Sequence, residues 1–204
     1  MTSGRRRPRP ASPVASVIVP CRNEAATIGW LLDSLARQDF SADRLEVVIA
    51  DGMSEDATRA VVRQVEAAWP ELAIRIVDNP ARTIPAALNR AIEASRGEIL
   101  IRLDAHSIPA VDYVRRCLEV LRATGAANVG GQWEIQPSAP GGAARAVVEA
   151  GSHPLGAGDA RYRTGGAAGP VETVPFGAFP RHWLQKVGGF DETLLTNEDY
   201  ELNL

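Results

Sequence analysis

Two acidic motifs far apart in the chain hold the residues best suited to chemistry. The first is "RLDAHS", where Asp104 and His106 stand two positions apart just after an apolar run ending at Ile101. A carboxylate can hold a divalent cation, and the cation neutralises negative charge as it develops on a leaving group. His106 has three readings: a second metal ligand, a hydrogen-bond donor to a diphosphate, or a bystander. Imidazole is softer than carboxylate, so as a ligand it favours Mn²⁺ over Mg²⁺. The second motif is "NEDYE", whose Glu198 and Asp199 can supply a general base. The same two acids also suit the first turn of any helix, because the helix dipole favours negative charge there.

The elements that must carry these residues follow from hydrophobic periodicity. "VASVIVP" (14–20), "LEVVIA" (45–50), "AIRIVD" (73–78) and "EILIRLD" (98–104) read as strands. Between and after them, "EAATIGWLLDSLARQ", "SEDATRAVVRQVEAAW", "TIPAALNRAIEAS" and "PAVDYVRRCLEVLRAT" read as helices. Ser54 or Asp56 is the expected N-cap of the second helix, and Pro85 suits the first turn of the third, with Gly97 just past its end. Four strand–helix alternations with strands apolar on both faces predict an α/β fold: a doubly wound, mostly parallel sheet with helices on both faces. After Gly125 the order loosens. "VGGQWEIQ" and "VETVPFGAF" are expected strands, "PGGAARAVVEAG" a short helix, "GAGDARYRTGG" a Gly-rich loop or flap, and a last helix starts near Asn197. Open α/β sheets bind ligands beyond the carboxyl ends of their strands. Here those ends deliver Pro20 to Glu24, Asp51 to Asp56, Asp78 to Arg82 and Asp104 to His106.

Composition bounds the rest. The 204 residues carry 45% hydrophobic and 23% charged side chains and a net charge of −3. That suits one folded domain over 14–204 and gives no argument for nucleic-acid binding. Residues 1–13, with "RRRPR", read as a disordered basic tail capable of weak peripheral contact with an anionic membrane. No run is long and apolar enough to span a bilayer, and no signal peptide is visible. Cys21 and Cys117 have no metal or redox spacing, so a reduced cytosolic setting is the default. The dinucleotide fingerprint and the phosphate loop of nucleotide hydrolases are both missing. Trp30 and Trp69 are expected to pack, Trp133 to pack or to contact an acceptor, and Arg161, Tyr162 and Arg163 to face phosphate. His153 and His182 read as structural or solvated.

"VIVPCRNEAATI", "VVIADGMSEDAT", "RLDAHS" and "FGAF…VGGFDETLLTNEDYELNL", in that order, resemble the family 2 glycosyltransferases of GT-A fold. The likeness runs from about Ala15 to Leu204 and is strongest to the succinoglycan-type exopolysaccharide enzymes. It implies a nucleotide-binding N-terminal half and an acceptor-binding C-terminal half. It also implies inverting transfer of a sugar, usually from a UDP-sugar, to a polysaccharide or lipid-linked acceptor. By position, Pro20 and Glu24 would lie beside the nucleotide, Asp51 would hydrogen-bond uracil, and Arg82 and Asn89 would flank the nucleotide. Asp104 and His106 replace the family's Asp-x-Asp and would hold Mn²⁺ or Mg²⁺. Asp199 matches the catalytic base, with Glu198 beside it as orienting group or acceptor contact. Members of this group usually continue into further helices, often membrane segments. The domain is therefore expected to be cut short at its C-terminus and to belong to a parent anchored at the inner face of the cell membrane. Two competing readings are a nucleotidyltransferase and an inactive nucleotide-sugar-binding fragment. "NEDYE" argues against the first, because nucleotidyl transfer needs no acceptor base there.

Overall fold

The computed structural model describes residues 13–137, 141–153, 160–194, 196 and 198–203. The basic tail up to residue 12 lies outside the described residues. The sheet runs in the order β3 (Ala73–Asp78), β2 (Leu45–Asp51), β1 (Ala15–Cys21), β4 (Ile99–Arg102), β5 (Ala178–Pro180). The first four strands are parallel, and β5 joins β4 antiparallel. The chain therefore winds from β1 out to β3, then returns to the other side of β1. The sheet reverses its winding between β1 and β4.

Strand residues alternate between two cores. Val17, Val19, Val47, Ile49 and Ile101 face one side, where α1 (Ile28–Ala36), α2 (Thr58–Ala68) and α4 (Tyr113–Thr124) cover them. Ile18, Val48, Ala50 and Leu100 face the other, under α3 (Ile84–Ala94) and Leu184 of the short helix that follows β5. α1 buries Ile28, Leu31, Leu32 and Leu35, one stripe at helical spacing. α4 repeats the pattern with Val114, Cys117, Leu118 and Leu121. α5 (Gly142–Ser152) forms where the sequence expects it, α6 (Arg161–Thr164) is a single turn inside the Gly-rich loop, α7 is Arg181–Val187, and α8 is Glu198–Leu202.

Several expectations need correction. Residues 171–177 are not strand; only Ala178–Pro180 pairs. Residues 129–136 contribute one bridge, Val129 to Ala178, and no further ladder. Gly130 explains part of this: a Cβ there would lie 2.3 Å from Val174 Cγ1 and 3.0 Å from the Phe176 carbonyl oxygen, so the 174–176 segment packs directly onto this position instead of pairing with it as a strand. The residue before α2 is Ala57, and neither Ser54 nor Asp56 is its N-cap. Trp69 packs, donating its indole N–H to Asp33 (2.9 Å), whereas Trp30 is 58% exposed.

The amino ends of the strands are closed by buried polar groups. Glu46 on β2 is 3% exposed and accepts from Ser16 on β1 (2.6 Å) and from the Arg96 amide (2.5 Å) and guanidinium (3.0 Å). Gly97 donates to Ser16 Oγ (2.8 Å), and Arg181 donates to the Gly97 carbonyl (2.7 Å) and to Ser95 (2.8 Å). No buried side-chain nitrogen or oxygen in this set lacks a hydrogen-bond partner.

Candidate active site

The carboxyl ends are different. β1 pairs with β2 over seven residues, from Ala15 to Cys21, but with β4 over only four, from Ala15 to Ile18. β1 thus runs three residues beyond β4, about 10 Å at 3.3 Å per residue. The step leaves a notch at the place where the winding reverses. An α/β sheet puts its ligand crevice at such a point. A cleft of about 210 Å³ opens there, lined by Pro20, Arg22, Glu24, Asn79, Arg82 and Asp104 among others.

The loops around the notch are tied to one another. The amides of Asn23, Glu24 and Ala25 donate to Ser54 Oγ (2.8 Å), Thr58 Oγ1 (2.8 Å) and Asp56 Oδ2 (3.1 Å), and Asn23 Oδ1 accepts from the Glu55 amide (2.9 Å). The exits of β1 and β2 are therefore held together by four hydrogen bonds. Among the described residues three non-glycines have positive φ: Asn23 (55°), Met53 (59°) and Arg82 (62°). One follows each of β1, β2 and β3. Asn tolerates this region, but for Met53 and Arg82 it costs about 1–3 kcal/mol each. Such strain persists where the surroundings force it, and here it gathers at one edge.

The expected site residues separate into two groups. Pro20, Glu24, Arg82, Asp104 and His106 all line the cleft. Arg82 is exposed at its rim and has no ion-pair partner among the described residues. Asp51 and Asn89 do not line it. Asp51 is a buried strand residue, 1% exposed, and accepts from the Ser54 amide (3.1 Å), the Ser54 hydroxyl and Arg59 Nε (2.6 Å). Asn89 spends its amide on the 190 loop, donating to the Phe190 carbonyl (2.8 Å) and Glu192 (2.9 Å) and accepting from the Phe190 amide (2.9 Å).

Asp104 stands out electrostatically. Burial pushes its carboxyl above the ordinary range, against the opposing pull of Arg102 and His106. Its Oδ1 is buried without a hydrogen-bond partner, as are Asn79 Oδ1 and Arg102 Nε and Nη1 nearby. Buried polar atoms are nearly always paired, so a set of orphans on one edge marks a place where a ligand completes them. His106 turns Nδ1 toward Glu24 Oε1 (3.4 Å). Among the described residues no three His, Cys, Asp or Glu side chains could hold a metal ion. The donor set still fits a Mg²⁺- or Mn²⁺-type ion that takes one or two carboxylates from the protein and the rest from a phosphorylated ligand. Cys21 also faces the cleft, but burial first, then Asp51, Glu24 and Asp56, push its thiol up to about 12, so it stays protonated.

Glu198 lies 6% exposed, with Oε1 3.0 Å from Arg102 Nη2. Asp199, its neighbour, is half-buried and accepts from the Tyr200 amide (3.0 Å). Trp133 packs: it stacks on Phe176 (4.5 Å) and meets Tyr162 edge-on (4.7 Å), with Arg163 5.4 Å from the Trp133 ring. The residue that sequence reasoning missed is Arg102. It stands inside "RLDAHS", and the signal was a charged residue closing an apolar strand.

Residues 16–188 match the family described as Glycosyl transferase family 2. The chain belongs to that family. It is 35% identical over 189 residues to the succinoglycan biosynthesis protein ExoA of Rhizobium meliloti, covering 92% of this chain and 56% of that protein. It is also 35% identical over 123 residues to the glycosyltransferase AglE of Haloferax volcanii, covering 60% of this chain and 40% of that protein. The chain thus spans about half the length of these relatives. Among solved structures, the mannosyltransferase PcManGT from Pyrobaculum calidifontis, in complex with GDP-Man and Mn²⁺, superposes with TM-score 0.68 at 28% identity. That match covers 94% of this chain and 51% of the other. S. aureus TarS in complex with UDP reaches the same TM-score at 18% identity over 93% of this chain and 53% of its own, a likeness of fold. The architecture is GT-A, with a mixed, mostly parallel five-stranded sheet.

Proposed function

We propose that this domain takes a sugar from a nucleoside diphosphate sugar, a UDP-sugar in our reading, and transfers it with inversion to a polysaccharide or lipid-linked acceptor. The observation that carries the reading is the buried Asp104 Oδ1, which has no hydrogen-bond partner, in a cleft rimmed by Arg82, which has no ion-pair partner among the described residues. A diphosphate is the ligand that would use both: its oxygens suit a guanidinium, and a divalent cation shared with Asp104 would offset its charge. That ion would supply Lewis acidity to the departing diphosphate. Asp104 would hold it, with His106 near enough in the cleft to contribute. Glu24 would orient His106. Asp199 would take the proton of the attacking acceptor hydroxyl, on the face of the sugar opposite the leaving group. The likeness to a succinoglycan biosynthesis protein favours an exopolysaccharide acceptor.

The base contact needs restating. With Asp51 committed to Ser54 and Arg59, its part in binding uracil would be to fix the stitched β1–β2 loops, with at most one oxygen edge turned to the base.

A thermal-shift screen of UDP-, GDP- and dTDP-sugars with and without Mn²⁺ tests the reading. A ligand at 100 times its Kd stabilises by about 2.7 kcal/mol. The expected result is a metal-dependent rise with one nucleotide class. No shift with any of the three, with or without metal, would overturn it.

A further inference from the structure

Arg102 is the last residue of β4 and is 4% exposed. Its guanidinium reaches two carboxylates that belong to different motifs. Nη2 donates to Glu198 Oε1 at 3.0 Å, across 96 residues of sequence. Nε lies 3.6 Å from Asp104 Oδ1, close enough for attraction and too far for a hydrogen bond. Nε, Nη1 and that same Oδ1 have no hydrogen-bond partner. One end of the bridge is made, and the end facing the cleft is left unfinished.

The surroundings make the unfinished end matter. The guanidinium carbon lies 5.8 Å from the Phe176 ring centre and 6.0 Å from that of Phe190, and the side chain is only 5% exposed. Two carboxylates then share one buried cation, and each competes with the other for it. At the far end, α8 has only five residues. A helix that short has no stability of its own and holds its place through tertiary ties. Among the described residues its ties include the Arg102 pair at Glu198, contact of Leu202 with the core, and the hydrogen bonds from Asn128 to Asn203 (2.8 Å) and from Asn203 to the Val174 carbonyl (3.5 Å). The Arg102 pair is the charged one among the described residues, and it sits beside Asp199.

We propose that Arg102 is a positioning residue that couples occupancy of the cleft at Asp104 to the order of the Glu198–Leu202 helix. When a cation-bearing diphosphate takes up the Asp104 carboxylate, the guanidinium is released from competition and closes on Glu198 alone. The helix carrying Asp199 is then held more firmly when the donor is loaded than when the cleft is empty. By reciprocity, a firmer helix also tightens the donor site. This inference rests on the donor-binding reading above.

The test is hydrogen exchange at the amides of Leu202 and Asn203, with and without UDP and Mn²⁺, and with GDP and Mn²⁺ in parallel. In the native chain the bound nucleotide should slow exchange there roughly tenfold, within the usual range of site-to-site coupling. Arg102→Met alone would leave Glu198 buried without a counter-charge and could unfold the chain. The informative variants are therefore Arg102→Met combined with Glu198→Gln, and Arg102→Lys, which keeps the charge but loses the fork. Calorimetry should find weaker nucleotide binding in both, and at nucleotide concentrations that saturate each variant both should show no nucleotide-dependent slowing at α8. A native chain that binds UDP or GDP with no change at α8 overturns the proposal. So does a double variant that responds as the native chain does. A native chain that binds neither nucleotide defeats the donor-binding reading first, and this inference with it.

Discussion

At the scale of single residues, Asp104 and Asp199 carry opposite expectations. Burial raises the Asp104 carboxyl pKa in the fold. A carboxyl raised in this way costs stability once the pH exceeds its ordinary range, because the folded state disfavours the ionised form. Asp104→Asn is therefore expected to be at least as stable as the native chain near pH 7 by thermal melting, while its UDP affinity loses the Mn²⁺-dependent part. One charged contact corresponds to about tenfold or more in Kd, readable by calorimetry. A variant that is both less stable and unaltered in Mn²⁺ response would remove Asp104 from the site. Asp199→Asn should leave UDP affinity unchanged and lower kcat for transfer by about 10²–10⁴. Near-normal turnover in that variant would move the base elsewhere. Asp104 was marked in the sequence by its place at a strand exit, and it does line the cleft; Asp199 was marked only through the family likeness of its motif, because two acids in a first helical turn are ordinary on their own. Arg102 was not, because its meaning lies in Glu198, a partner 96 residues away.

Among the elements, β1 to β4 and α1 to α4 were readable because hydrophobic period is a local property, printed in runs such as Leu45–Asp51, every residue of which is buried. Residues 129–136 and 171–177 were misread as strands because pairing is not local: Gly130 packs against Val174 and Phe176 instead of extending a ladder. Asp51 was readable as a strand exit but not as the acceptor that anchors α2. Arg59 on α2 reaches both Asp51 (2.6 Å) and Asp78 (2.5 Å), tying the helix to the ends of β2 and β3. Asp51→Ala should therefore cost about 1–3 kcal/mol in urea unfolding with an unchanged m-value, whatever it does to nucleotide binding. An unchanged midpoint would mean that the buried contact is dispensable. Gly97, just past α3, sits so close to β1 that an added Cβ would lie 2.6 Å from the Ser16 amide nitrogen and 2.7 Å from the Ala15 carbonyl carbon. Gly97→Ala should cost roughly 1–3 kcal/mol by overpacking. A melting temperature equal to the native one would refute that.

For the molecule as a whole, the two ends of the sheet differ in how their polar groups are settled, and acid should reveal it. Burial pushes the Glu46 carboxyl up, but the hydrogen bonds from Ser16 and Arg96 outweigh it and hold the group below its ordinary 4.5. A carboxyl depressed in the fold stabilises above its unfolded pKa, and that stability is lost as the pH falls through the folded value. The native chain should weaken steadily below about pH 4.5, while Glu46→Gln starts less stable near pH 7 and changes less over the same window. Urea midpoints at several pH values measure this, and parallel acid curves for the two proteins would contradict it. The carboxyl end of the sheet has a different kind of sensitivity, one that concerns insertion and deletion rather than substitution. Its notch exists because β1 outruns β4 by three residues, so its depth is counted in whole residues. Successive strand side chains point to opposite faces. One residue gained between Arg102 and Asp104 would move the carboxylate by a full step and turn it toward the wrong side. An insertion or deletion in this short stretch should therefore damage the cleft more than a conservative exchange of one side chain that lines it.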